Sequence, residues 1–213
     1  MKSKRPNKRS KKIQEMLTAY DDDVNEIGVF ARPVVHYNGM WHRVAQCWVV
    51  GMSETGPRIY LQRRSFEKKS NPGRYDITAG GHVSAGETPE YAMAREMWEE
   101  TGLHLKEEQM IKIGEFREVL GHDHEVATIF IHRDDEPPFS PGPEVIYMVS
   151  ADLEEFKALS EGSVDEITVI PAIRTGLMVD EAFKVGPQNF CNHKSFLDIV
   201  YPYIKEHEAE LFG

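Results

Sequence analysis

Residues Gly81 to Leu103 read GHVSAGETPEYAMAREMWEETGL, and the rest of the chain is arranged around this stretch. Gly80 and Gly81 form a loop whose backbone a charged ligand can approach closely, because neither residue carries a Cβ. Gly86 turns the chain, Thr88 is suited to cap a helix, and Pro89 falls at the first helical position, where its missing N–H costs nothing. The spacing predicts a helix from Pro89 to Gly102, a residue that readily takes the left-handed closing conformation. On that helix Glu96, Glu99 and Glu100 stand at i, i+3 and i+4, so three carboxylates share a face. Tyr91, Ala94 and Trp98 fall on roughly the opposite face, where they can pack on a core. A generic Glu-rich helix of this kind would be a solvated surface. Beside a glycine loop, the repelling carboxylates instead suit Mg²⁺ or Mn²⁺, ions that take carboxylate oxygens together with substrate phosphate oxygens.

The chain is 213 residues long and 40% hydrophobic, enough for one ordinary domain with additions and a full core. No apolar run is long enough to span a bilayer, and the basic N-terminus lacks the apolar stretch of a secretory signal. Cys47 and Cys191 show no metal-type spacing, which suits reduced thiols in a cytoplasm. The net charge is −10, but residues 1 to 12 hold seven Lys or Arg and no acid. The remainder carries 18 basic against 35 acidic residues, a net −17, so the body has no basic face for nucleic acid. The segment MKSKRPNKRSKK is expected to be a disordered, solvated tail.

Taken in order, Met16 to Tyr20 leads through an acidic turn to an extended stretch, Ile27 to Val35, as an opening strand pair. Arg43 to Val50 reads as a central strand and Arg58 to Gln62 as its hairpin partner. Arg63, Arg64, Lys68 and Lys69 follow in a polar loop, placed to hold a diphosphate, and Tyr75 to Ala79 enters the glycine loop as a short strand. Ile111 to Val119, Val126 to His132 and Glu144 to Val149 read as further strands. Asp152 caps a helix to about Leu159, with Glu155 completing a capping box, and Pro171 to Lys184 and Ser195 to Phe212 read as helices, the latter kinked at Pro202. The expected architecture is α/β: an α/β/α sandwich on a mixed sheet, with residues 13–160 as the domain and 161–213 as a helical extension packed on it.

Gly81, Glu87, Arg95-Glu96, Glu99-Glu100 and Gly102 stand at every fixed position of the Nudix box, so the chain resembles that superfamily over about Met16 to Ser150. Outside the box, Trp41-His42-Arg43, the run QRRSFEKKSNPGRYD from Gln62, Gly81-His82-Val83 and His124-Glu125-Val126 are similar to the isopentenyl diphosphate isomerase branch. That resemblance implies a second metal, Zn²⁺ or Mn²⁺ by ligand type, among His36, His42, His82, Asp123 and Glu125. It breaks at Gly80, where those isomerases place a catalytic cysteine, and at Glu99, since they tend to lose the first glutamate of the pair.

The sequence therefore predicts a Mg²⁺- or Mn²⁺-dependent Nudix hydrolase of a nucleoside, isoprenoid or similar diphosphate. Glu96, Glu99, Glu100 and the Gly80 carbonyl would hold metal, and Arg63, Arg64 and Lys68 would hold substrate. Gly81, Glu87, Arg95 and Gly102 would keep the motif in shape. Glu99 and Glu125, then Glu144, are the general-base candidates. Two other readings carry specific requirements: an isomerase needs a substitute thiol, and a non-catalytic nucleotide sensor does not need intact carboxylates. The expected partner is a small-molecule diphosphate, without a membrane; a homodimer is the other association the sequence allows.

Overall fold

The computed structural model describes residues 14–172, 181–191 and 194–213, so the basic segment lies outside the described residues. The central strand is β3 (Trp41–Ser53). Its residues Ala45, Cys47 and Val49 pack against Ala92, Met93 and Met97 of the helix that opens with α2 (Pro89–Glu96). Val44, Trp48 and Val50 pack on the other side, against Phe156 of α3 (Leu153–Ser160) and Phe196, Val200 and Ile204 of the C-terminal helices. Burial on both faces explains why this strand ends in an uninterrupted apolar run. The layering is the expected α/β/α sandwich.

The sheet is mixed. On one edge β3 runs parallel to β8 (Asp123–Arg133), which pairs antiparallel with β7 (Ile111–Leu120). The other edge is shared among three strands. β4 (Gly56–Arg64) pairs with Val49–Ser53, β6 (Ala79–His82) with Val44–Cys47, and β1 (Met16–Tyr20) with Trp41 and His42. Having left β3, β4 continues alongside β5 (Tyr75–Asp76) and β9 (Val145–Asp152), followed by β10 (Ile167–Pro171) and β11 (Phe183–Val185). β2 (Glu26–Ala31) closes the far edge on β1. The sheet thus splits where β4 departs and β6 takes its place, and Ile77-Thr78 bridges the gap. The Thr78 hydroxyl accepts the Val49 N–H at 2.9 Å and donates to the Tyr60 carbonyl.

Several local expectations are corrected. Residues Arg32–Tyr37, of which those up to Val35 were expected to be extended, form a helical turn, α1; Pro33 pre-sets its opening rather than punctuating a strand. This turn delivers His36. Most of the helix expected over Pro171 to Lys184 lies outside the described residues, but Phe183 and Lys184 belong to β11. The Asp152 cap forms on the N–H groups of Glu154 and Glu155, whereas the Glu155 carboxylate turns away to accept from Thr168, so the box is half made. At the C-terminus a widened turn, Phe196–Val200, absorbs Pro202 at the start of α4 (Tyr201–Glu206), and the chain breaks instead at His207 before α5 (Glu208–Phe212). Among the described residues no helix is long and apolar enough to cross a membrane.

Candidate active site

The box helix begins and ends where its sequence says. Thr88 Oγ1 accepts the Tyr91 N–H at 3.2 Å, and Gly102 closes the helix at φ 77°. Its phase differs. From Met97 to Thr101 the helix widens to i→i+5 bonding, so a 3.6-residue wheel loses register there. The buried stripe is Ala92, Met93, Met97, Glu100 and Thr101; Tyr91 and Trp98, expected in the core, are 54% and 53% exposed. The acidic side therefore borders the buried stripe rather than opposing it.

Glu100 enters the split of the sheet and is buried. One carboxylate oxygen accepts from the Gly80 N–H at 3.0 Å and from Gln62 Nε2 at 2.8 Å. The other lies 3.7 Å from the Lys68 ammonium. Burial pushes its carboxyl above the usual range, with Lys68 and the two hydrogen bonds opposing. Glu96 is pushed up to about 7, first by burial and then by the charge of Glu100. A Cβ on Gly81 would lie 2.3 Å from the Glu96 carboxylate, which is why the position is glycine. Arg95 gathers the acids: it donates to Glu87 at 3.2 and 3.1 Å, to Glu96 at 2.6 Å, to Glu99 at 3.3 Å and to the His82 carbonyl at 3.1 Å. Glu87 in turn accepts from the Ser84 N–H, bracing the loop. Glu99 is half exposed and Glu96 partly buried, so of the expected trio only Glu100 is fully inside, with Glu96 beside it and Glu99 at the rim.

The neighbouring cations divide their work. Lys68 ion-pairs with both Glu100 and Glu144. Arg64 is committed to Asp76, at 2.7 Å, and to Ser70; Arg63 lies over the Tyr75 ring at 4.5 Å. Gln62 and Asp76 escaped the sequence reading. Both lie inside the matched run QRRSFEKKSNPGRYD, and their being register partners is what brings them to the split.

The three histidines converge. One ring nitrogen each of His36, His42 and His82 lies within 4.8 Å of the others. Each ring is held from behind. His42 Nδ1 is 3.0 Å from the Met40 carbonyl, His36 Nδ1 is 2.5 Å from Asp123, and His82 Nδ1 is 3.4 Å from Glu15. The inner nitrogens remain: Nε2 of His36 and His82 are 3.1 Å apart, and Nε2 of buried His42 has no hydrogen-bond partner among the described residues. Burial lowers His42 to about 4 and draws His82 down as well, so both present neutral lone pairs near pH 7. Asp123 thus braces a histidine instead of standing beside it, and Glu15 is a brace the sequence reading missed. Glu125 is the register partner of His42, on the same side of the sheet, and faces Glu118 across β8 and β7. Burial and the charges of Asp123 and Glu118 push Glu125 up to about 7. This cluster sits across β6 from the box carboxylates, because Gly81 faces Glu96 while its neighbours alternate to the other side.

A split mixed sheet carrying a glycine loop and a braced Glu-rich helix defines the Nudix class, and the NUDIX domain family model matches residues 40–172. The chain belongs to the Nudix family and is a Nudix hydrolase. Among its relatives, the prenyl-diphosphate phosphatase of Methanosarcina mazei is 30% identical over 184 residues, 82% of this chain and 99% of its own. An isopentenyl-diphosphate Delta-isomerase of Photorhabdus laumondii is 26% identical, over 62% of this chain and 76% of its own. The crystal structure of DR0079 from Deinococcus radiodurans superposes with a TM-score of 0.55 at 23% identity, covering 68% of this chain and 87% of that one.

Proposed function

We propose that this Nudix hydrolase cleaves the diphosphate of an isoprenoid or comparably small diphosphate ester with Mg²⁺ or Mn²⁺ held by Glu96 and Glu100, with Glu99 at the rim. The observation that carries the reading is the pair Glu96 and Glu100, one partly buried and one fully buried beside the backbone of Gly81 and Gly80 and both pushed upward. Such a pair fits a divalent cation, which would relieve both the burial and the mutual repulsion. Glu96 and Glu100 would hold such a cation, whose chemistry there would be to offset phosphate charge and acidify a water. The chain's own residues do the positioning. Arg95 and Glu87 hold the helix against the loop, Gly81 keeps the approach open, and Lys68 supplies a positive charge for phosphate. Glu125, pushed up to about 7, stands on the histidine side of β6 and would act as base only for substrate atoms that reach across that strand. The prenyl-diphosphate phosphatase among the relatives supports an isoprenoid substrate.

The histidine cluster fits a second ion, Zn²⁺ or Mn²⁺, by two geometric criteria, inner nitrogens that converge and outer nitrogens held by acceptors, and by the burial that lowers His42 and His82. That cluster also favours a second reading, isomerisation of an isopentenyl-type diphosphate. Against it, a Cβ at Gly80 would lie 2.6 Å from Ile77 Cδ1, so the position of the isomerase thiol is filled by a methyl group. Cys47 offers no replacement, being buried in β3 on the α2 side. A panel of isoprenyl, nucleoside and sugar diphosphates with Mg²⁺, read by ³¹P NMR, tests the proposal. Phosphate release that a chelator abolishes is expected. A shifted double bond without phosphate release would support isomerisation, and binding without turnover would support a sensor.

A further inference from the structure

Lys68 stands in the place where a cation is needed. Its ammonium lies 3.7 Å from one oxygen of Glu100 and ion-pairs with Glu144, the residue before β9, while the second Glu100 oxygen is taken by Gly80 and Gln62. The loop that presents it is pinned at several points. The Ser65 N–H donates to the Glu144 carbonyl at 2.8 Å, the Lys68 N–H to Ser65 at 3.2 Å, and Arg64 to the Ser70 carbonyl at 3.2 Å. Lys68 is only a quarter exposed, so its charge is focused on the two carboxylates rather than spread into solvent. The Gln62 carbonyl oxygen, beside the same carboxylate, is buried with no hydrogen-bond partner among the described residues, so the pocket around Glu100 still contains an unused acceptor.

We propose that Lys68 is a resident counter-cation: its ammonium neutralises Glu100 and Glu144 while the metal position is empty, and divalent-ion binding displaces it toward the substrate phosphates. This rests on Glu100 being a metal ligand. It adds that Glu144, outside the box, shares the same cation position. The exchange has a functional logic. A buried carboxylate with no counter-charge is costly, so a lysine keeps the metal-free site folded. A flexible four-carbon stem then lets the same charge move to an oxygen that arrives with the metal.

The prediction concerns the metal alone, without substrate. Lys68→Met removes a competing positive charge, so Mn²⁺ should bind more tightly than to wild type, by roughly tenfold in Kd. Lys68→Arg, which keeps the charge, should bind Mn²⁺ much as wild type does. Isothermal titration with Mn²⁺ reads both. In wild type the acetylation rate of the Lys68 amine, followed by mass spectrometry, should rise on adding Mg²⁺, while that of the exposed Lys106 stays constant. Equal or weaker Mn²⁺ binding by Lys68→Met, or a Lys68 amine indifferent to Mg²⁺, overturns the counter-cation role and leaves the proposed hydrolysis standing. Wild-type protein that binds no divalent ion at all overturns both.

Discussion

Glu96 and Glu100 carry the heaviest chemical burden in the molecule, and each predicts a separable outcome on substitution. Glu100→Gln keeps an oxygen for the Gly80 and Gln62 donors while removing a buried charge. The metal-free variant should melt no lower than wild type, while kcat falls by at least about a hundredfold with the electrostatic centre. Paired melting curves and initial rates check this, and full activity at saturating Mg²⁺ would remove Glu100 from the metal site. Glu96 makes a prediction about pH. Its folded-state value, about 7, lies above its ordinary 4.5, so its stabilising contribution is present below 4.5 and lost as pH rises through 7. In chelator, wild type should therefore lose stability relative to Glu96→Gln between pH 5 and 8, by on the order of 3 kcal/mol. Urea denaturation at both pH values measures the difference. A constant gap between the two proteins would contradict the buried, protonated Glu96.

At the scale of the element, the box helix was legible at its ends and illegible in its phase. Thr88, Pro89 and Gly102 announce local chemistry that nothing distant alters. The core-facing side depends on the widened turn Met97–Thr101, and that turn accompanies a glutamate drawn inward by Gln62, Gly80 and Lys68. Those partners lie up to 38 residues away, so no helical wheel contains them. The α1 turn escaped for a related reason. Arg32–Tyr37 has strand-like Val34 and Val35, and its place is fixed when Val35 joins the small core of Leu17 and Ala19. The corrected phase is testable by melting. Met93→Ala should cost about 2–5 kcal/mol, as a fully buried side chain leaves a cavity, whereas Trp98→Ala should stay within about 1 kcal/mol. The reverse ranking would restore the face expected from sequence.

Across the whole molecule, the residues of the histidine cluster were visible in the sequence but their division of labour was not. His36, His42 and His82 come from α1, β3 and β6, and the braces from three further places, Glu15, Met40 and Asp123. Asp123 looked like a ligand because it alternates with Glu125; its contact with the outer nitrogen of His36 joins residues 87 apart in the chain, which no local pattern shows. Glu15 carried no signal at all, since it reaches His82 through the bridge of Leu17 to Ser84 and the Ala85 N–H bond to the Met16 carbonyl, just beyond β6. Removing residues 1–12 should leave both melting temperature and kcat unchanged, because this Lys-rich segment has almost nothing apolar to bury. Glu15→Gln should leave the fold intact but weaken Zn²⁺ retention roughly tenfold or more, as loss of a histidine's brace does elsewhere. Metal analysis after graded dialysis against chelator decides this, and unchanged retention would detach Glu15 from the cluster. Hydrolysis at the box carboxylates is read by turnover of an isoprenyl diphosphate in H₂¹⁸O with Mg²⁺. ¹⁸O is expected in the phosphorus-containing products and should be lost in Glu100→Gln and in chelator; label-free product with a shifted double bond, or labelled product undiminished in Glu100→Gln, would rule out hydrolysis at these carboxylates.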